Sequence, residues 1–457
     1  MSLIASVSGI RGTIGGSQGE NLTPFDILKF SLAYGQWVKS SHSSPSVVIG
    51  RDARISGELV SQLVISSLQS LGINIIDLEL STTPTVEMEV KRTHSAGGII
   101  LTASHNPAHW NALKLLNNKG EFISAEEGNK IIEFSKNLQL NFSDIHNLGK
   151  VSKNHSAIEK HVEAILASPI LPIELIRSKK FHIIADCINS TGALALPILL
   201  DALHCSYELI NDTMNGNFAH NPEPLENHLT ELINRMKGSK ASLGVAVDPD
   251  VDRLVLVDEN GQFYGEEYTL VCTADFVLSQ KPGNTVSNLS SSRALRDLTH
   301  QKGGEYFSSA VGEVHVVQKM KEVNAVYGGE GNGGTILPDL HYGRDALIGI
   351  ALVLANLAST GKTLSQLKSG YPKYEMSKDK IDLNPSLDYK ALLEYIKANY
   401  SHAQLNTEDG LKIDLPEGWI HLRKSNTEPI LRIYSESDSE SNAKRLANQL
   451  KELVIKF

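Results

Sequence analysis

What most constrains this chain of 457 residues is an alternation of strand-like and helix-like segments, short apolar runs followed by longer stretches of helical character. SVVIG (46–50) reads as a strand, a helix is expected from about Gly57 to Leu71, and INIIDL (73–78) reads as the next strand. GGIILT (97–102) is a further buried strand that runs into a polar loop. Short apolar runs bounded by loops suit buried strands, and strands alternating with helices build α/β layers. A second unit opens with the strand KFHIIADC, continues through the apolar helix ALALPILLDAL and closes on the strand pair LGVAVDPDVDRLVLVD. A third has a helix near 266–279 and strands at TVSNL and NAVYGG. The last part differs: a helix near 388–399, strands at GWIHLRKS and ILRIYSES, and a final helix SNAKRLANQLKELVIKF predict a small α+β domain with an antiparallel sheet.

The polar stretch near 140–155 marks a first boundary, and KSGYPKYEMSKDK reads as a linker that could serve as a hinge. At roughly 100–200 residues per domain, the chain divides into four segments, 1–150, 151–258, 259–368 and 369–457. Hydrophobic residues make up 41% of the chain, enough for several cores, and the net charge of −9 without a basic block argues against a nucleic-acid partner. Cys187, Cys205 and Cys272 form no CxxC pair, which fits a reducing compartment. The N-terminus does not read as a signal peptide and no run has the apolar length of a membrane span, so a cytoplasmic protein with no membrane partner is expected.

Four loops carry the chemistry. In DPDVDR, Asp248, Asp250 and Asp252 stand at alternate positions between two apolar runs. Anions this close repel unless a cation holds them, and an all-oxygen set suits a hard ion such as Mg²⁺. An EF-hand is excluded, since the sixth place is Arg253 rather than glycine and the flanks are strands. In TASHNPAHWNALK a strand delivers Ser104 to a loop, with His105 and Lys114 close in sequence; a serine nucleophile needs a metal or a base nearby. YGGEGNGG matches GxGxxG by count, but TILPDL rather than a helix follows, so it reads as a turn presenting Glu330 and Asn332 to a polar ligand. RKSNTEPILR, with Arg423, Ser425, Asn426, Thr427 and Arg432, is a donor-rich loop between strands that suits a phosphate.

Taken together the four loops resemble the α-D-phosphohexomutase superfamily, which includes phosphoglucomutase, phosphomannomutase and phosphoglucosamine mutase. TASHNP is similar to its phosphoserine loop, DPDVDR to its metal loop, GEGNGG to its sugar loop and RKSNTEP to its phosphate loop, in the family's order along the whole chain. SGIRG with Arg11, GRDAR with Arg51 and NPEP (221–224) add smaller matches. The resemblance implies four domains around a central cleft, three α/β and one smaller α+β. It implies that phospho-Ser104 passes its phosphoryl to a hexose phosphate, giving a hexose 1,6-bisphosphate that turns round and returns its other phosphoryl. Mg²⁺ would be held by Asp248, Asp250, Asp252 and the phosphoserine, and Arg253 would balance the anionic site. Lys114 would be the general acid/base, with Arg11 and His105 lining the phosphate path. Glu330 and Asn332 would hold sugar hydroxyls, while Arg423, Ser425, Asn426, Thr427 and Arg432 would grip the phosphate that is not reacting.

The sequence departs from the family's pattern where the sugar is chosen. Gly334 stands at a frequent histidine, Asn332 at a frequent serine, Glu313 at a histidine of some members, and Ala112 at the glycine before the lysine. With GRDA at 343–346, these features resemble the phosphoglucosamine mutase branch, with relaxed phosphomannomutase/phosphoglucomutase activity as the alternative. Two further readings are a haloacid-dehalogenase-type phosphatase, in which an aspartate rather than Ser104 would carry phosphate, and a non-catalytic sugar-phosphate binder. The oligomeric state, monomer or dimer, is left open.

Overall fold

The computed structural model describes residues 2–6, 9–382, 387–425 and 430–457. It divides into two compact units, one of residues 1–280 with 332–369 and the other of 281–331 with 370–457.

The first unit opens on a seven-stranded mixed sheet. Its strands are β1 (Ile4–Ser6), β2 (Gly9–Thr13), β3 (Ser46–Arg51), β4 (Asn74–Leu80), β5 (Gly97–Leu101), β6 (Trp110–Leu116) and β7 (Val151–Lys153), in the order β1-β2-β6-β5-β3-β4-β7. β3 runs parallel to β4 and β5, and β6 is antiparallel to both β5 and β2. The helix Gly57–Ser70 follows β3, as its apolar spacing predicts. The helix Pro24–Ser41 starts where Pro24 needs no N–H and where Thr23 and Asp26 form a capping box. Its buried Ile27, Phe30, Tyr34 and Val38 pack with Val47, Ile49, Val64 and Leu68.

A four-stranded sheet follows, β8 (His182–Asp186), β9 (Ser206–Ile210), β10 (Leu243–Val247) and β11 (Leu254–Val257), in the order β11-β10-β8-β9. β10 and β11 are antiparallel and pair Val247 with Leu254, so the six residues of DPDVDR form the turn of a hairpin with fully buried arms. The second unit begins with β12 (Thr285–Asn288), β13 (Tyr306–Ser309) and β14 (Tyr327–Glu330), in which β12 lies between the other two and parallel to both. The chain re-enters the first unit with β15 (Gly334–Ile336) and the helix Ala346–Thr360, capped by Asp345 and stopped by Gly361 in the left-handed region. That helix is buried on nearly every face, which explains its almost unbroken apolar sequence.

The remaining chain forms a five-stranded antiparallel sheet. It comprises β16 (Glu375–Asp382), β17 (Gln404–Asn406), β18 (Leu411–Leu415), β19 (Gly418–Lys424) and β20 (Ile430–Ser437), in the order β16-β20-β19-β18-β17. The helix Glu440–Lys456 packs on it through Leu446, Ala447 and Leu450. The linker expected at KSGYPKYEMSKDK is corrected here: from Glu375 it is an edge strand paired with β20 over eight residues. Its charged side chains, Lys378, Asp379 and Lys380, conceal the strand pattern and suit an edge, where charge discourages pairing with another chain.

Candidate functional site

The TASHNP and DPDVDR loops meet inside the first unit. β5 ends at Leu101 and the chain turns through 102–109 before returning as β6. Ser104 sits in that turn at φ 49°, a region L residues avoid. Its N–H donates to Thr102 Oγ1 at 2.9 Å, and its Oγ donates to Asp248 Oδ2 at 2.7 Å. In the metal loop Val251 also has a left-handed φ of 60°, unusual for a β-branched residue, so both loops carry backbone strain. The turn is held by the N–H groups of Asp252 and Arg253, which both donate to Asp248 Oδ1 at 3.1 Å.

Asp248, Asp250 and Asp252 are fully buried and converge, each offering a carboxylate oxygen within 4.8 Å of the others. Asp250 Oδ1 and Asp252 Oδ1 have no hydrogen-bond partner among the described residues. Buried carboxylate oxygens left open side by side fit a divalent cation. Burial and the neighbouring Asp252 and Asp250 raise the pKa of Asp248 well above the usual carboxylate range. Burial works the same way on Asp252, but Arg344, Lys114 and Arg253 outweigh it and lower its pKa.

A ring of cations surrounds the carboxylates. Lys114, on β6, donates to Asp250 Oδ2 at 2.7 Å and reaches Asp252 Oδ2 at 3.4 Å. Burial disfavours its charge, yet Asp250 and Asp252 prevail and raise its pKa, so it is protonated. Thr83 Oγ1 donates to the same Asp250 oxygen at 2.5 Å. Arg253 Nη2 donates to His105 Nδ1 at 2.7 Å, and its Nη1 lies 3.7 Å from Glu223 of the NPEP segment. Burial, Arg253 and Arg11 push the His105 pKa well below its ordinary value, so its ring is neutral with Nδ1 as acceptor. Arg11, on β2, has its pKa lowered by burial and by Arg253 and Arg344 and raised by Asp250, which puts it in the same cluster.

Arg344 was missed as a site residue by the sequence reading, which noted GRDA only as a branch marker. Its Nη2 donates to Asp252 Oδ2 at 2.6 Å. Gly334 belongs to the same arrangement, since a Cβ there would lie 2.3 Å from Arg344 Cδ. The space opened by this glycine is filled by the arginine on its way to the metal loop. Asn332 Oδ1 accepts from the N–H of Gly334 at 3.2 Å and closes the turn.

In the second unit Glu330 ends β14 and is 4% exposed. Its Oε1 accepts from Asn288 Nδ2 at 2.9 Å and from the N–H of Gly312 at 3.0 Å, which orients the carboxylate. Arg423 on β19 and Arg432 on β20 are directly paired across the strands. Like charges placed opposite are unfavourable without an anion to bridge them. Arg423 is 8% exposed, and its Nε and Nη1 have no hydrogen-bond partner among the described residues. Ser425 N–H donates to the carbonyl of Ile430 at 2.9 Å, closing the base of the loop; Asn426 and Thr427 lie outside the described residues.

A buried serine against a carboxylate triad, ringed by cations on α/β sheets, defines an enzyme that handles phosphoryl groups. Sequence comparison makes the class specific. Profiles described as "Phosphoglucomutase/phosphomannomutase, alpha/beta/alpha domain" I, II and III match residues 3–141, 159–261 and 264–374, and the family's "C-terminal domain" matches 379–453. The chain is 34% identical to a "Phosphoglucomutase/phosphomannomutase" of Thermococcus kodakarensis, over 95% of each chain. It is 32% identical to a "Phosphoglucosamine/phosphogalactosamine mutase" of Sulfurisphaera tokodaii, over 99% of each. Among solved structures, a phosphoglucomutase/phosphomannomutase family protein of Burkholderia thailandensis superposes with a TM-score of 0.85 at 25% identity, over 99% of this chain and 96% of that one. The chain belongs to the phosphoglucomutase/phosphomannomutase family and has its four-domain mixed α/β fold; it is a phosphohexomutase, an intramolecular phosphotransferase of the isomerase class.

Proposed function

We propose that the chain interconverts hexose 1-phosphate and 6-phosphate through phospho-Ser104 and a hexose 1,6-bisphosphate, with glucosamine phosphate as the preferred sugar. The observation that carries the carrier role is the buried Ser104 hydroxyl, 2.7 Å from Asp248 in a carboxylate cluster that Lys114 and Arg344 contact. Asp248, Asp250 and Asp252, with an oxygen of the phosphoserine, would hold Mg²⁺, which when bound offsets charge on the moving phosphoryl group. Lys114 is protonated and hydrogen-bonded to Asp250 of that carboxylate set, which fits the acid half of its expected acid/base role. Arg11 and neutral His105 line the phosphate path. Glu330 takes hydrogen bonds from sugar hydroxyls, with Asn332 beside it in sequence, while Arg423, Arg432, Ser425, Asn426 and Thr427 grip the distal phosphate. Each of the segments 1–150, 151–258, 259–368 and 369–457 then supplies one functional loop.

Three features support a preference for the amino sugar: the Sulfurisphaera relative's name, Asn332 with both a donor and an acceptor, and the carboxylate content of the site. The Thermococcus relative favours a second reading, relaxed use of glucose and mannose phosphates. Comparing kcat/KM for the 1-phosphates of glucosamine, N-acetylglucosamine, glucose and mannose separates them: a clear preference for mannose 1-phosphate would overturn the first. Ser104→Ala should lower turnover by several orders of magnitude, and intact-mass analysis of active enzyme should find phosphate on Ser104. An active Ala variant, or acid-labile phosphate on an aspartate, would refute the carrier role.

A further inference from the structure

The turn Asp52–Ala53–Arg54 has no role in the chemistry assigned above, yet it touches both catalytic loops. Arg54 is 1% exposed. Its Nη2 donates to the carbonyls of Ser104 and Asn106, each at 2.6 Å, and its Nη1 to those of Pro107 at 2.7 Å and Trp110 at 3.0 Å. Its Nε donates to Asp52 Oδ2 at 3.0 Å. A guanidinium has five N–H donors, and here every one is used, three of them on the backbone of the loop that carries Ser104 and one on Trp110 at the start of β6. The Phe218 ring covers the guanidinium from 5.0 Å.

Two further links issue from the same turn. Asp52 Oδ2 accepts from Thr102 Oγ1 at 2.6 Å, and that hydroxyl oxygen accepts the Ser104 N–H. Both backbone polar atoms of Ser104 are thus held, the N–H through Thr102 and the carbonyl by Arg54, which fixes its left-handed conformation. On the other side, Ala53 N–H donates to Ser190 Oγ at 3.2 Å, and Ser190 Oγ donates to the carbonyl of Pro249 at 2.7 Å. Pro249 lies inside the metal loop, between Asp248 and Asp250.

We propose that Arg54 is a positioning residue for phosphoryl transfer, the centre of a bracket that sets the Ser104 hydroxyl against the carboxylates of the metal loop. The proposal rests on the reading of Ser104 as the carrier and of the three aspartates as metal ligands. Misplacement of a reacting group by about 1 Å can cost on the order of 10²-fold in rate. Lysine would keep the charge beside Asp52 but has a single tip, which cannot span four carbonyls set by a planar fork.

The test uses the full chain with Arg54→Lys, Thr102→Val and Ser104→Ala. Arg54→Lys should lower kcat about 10–100-fold and leave KM for sugar phosphate within about threefold, the split of a misplaced reacting group. The Mg²⁺ concentration for half-maximal activity should rise as well, which a role in stability alone would not bring about. Thr102→Val removes the acceptor of the Ser104 N–H without touching Arg54 and should show the same split in smaller measure. A folded Arg54→Lys enzyme with kcat and Mg²⁺ requirement within about twofold of wild type overturns the proposal, whatever its melting temperature. If that variant does not fold, Thr102→Val decides by the same criterion. Activity in Ser104→Ala sinks the carrier reading itself; an inactive Ser104→Ala beside an unaffected Arg54→Lys sinks only the bracket.

Discussion

Replacing Gly334 by alanine tests whether the glycine serves Arg344. The added Cβ would stand 2.3 Å from Arg344 Cδ, 3.0 Å from its Cγ and 3.1 Å from Asn332 Oδ1. Gly334 is not in the left-handed region, so the backbone accepts alanine and the conflict is with the side chain alone. A flexible arginine would ordinarily step aside, but the Arg344 guanidinium is held at 2.6 Å by Asp252. Overpacking a buried site costs about 1–3 kcal/mol. Releasing Arg344 from Asp252 instead forfeits a hydrogen bond to a charged group, about 1.5–3 kcal/mol. Either route comes to about 2 kcal/mol, or roughly 30-fold if expressed in the transition state. Gly334→Ala should therefore lower kcat/KM about 30-fold in a coupled mutase assay, and Arg344→Ala by a similar factor. The double variant should be no worse than Arg344→Ala, because the obstructed side chain is gone and the two changes act through one contact. Wild-type kcat/KM in Gly334→Ala would refute the reasoning, and so would effects that multiply in the double variant.

Other outcomes follow from the same geometry. Chelator should abolish activity and Mg²⁺ restore it, and Asp252→Asn should raise the Mg²⁺ concentration needed; indifference to chelator would contradict the metal assignment. Arg423→Ala should raise KM for sugar phosphate about tenfold or more with a smaller change in kcat, since it removes donors that have no hydrogen-bond partner among the described residues; an unchanged KM would rule out the phosphate grip. His341 lies 3.3 Å from both Glu87 Oε2 and Asp345 Oδ2; burial disfavours its charge, but the two carboxylates raise its pKa to about 10. Because that value exceeds the unfolded one of about 6.5, its stabilisation is complete below about pH 6.5 and is lost as pH rises through about 10. Melting temperature should therefore fall more steeply between about pH 7 and 10 in wild type than in His341→Gln, and parallel curves would refute this.

The sequence by itself determined what is local. Short apolar runs marked β3, β5, β8, β10 and β11, because strands buried on both faces need continuous apolar side chains. The alternating carboxylates of 248–252 marked a candidate cation site, since a hairpin turn brings near neighbours together whatever the rest of the chain does. The four motifs in order marked the family. Only the tertiary structure decided which distant residues complete the site. Thr83 meets Asp250 across 167 positions, Arg344 meets Asp252 across 92 and Arg54 meets the Ser104 carbonyl across 50. Arg54 and Arg344 lie in the GRDAR and GRDA segments, but neither segment says what its arginine faces, because the carbonyls and the carboxylate they meet lie on other elements. β16 was misread for a related reason: an edge strand meets solvent along one side, and its charged residues look like a linker until β20 is seen beside it. Gly334 shows the same limit. In sequence it marks only a departure from a frequent histidine, and only the packed fold shows that Arg344 occupies the space beside it.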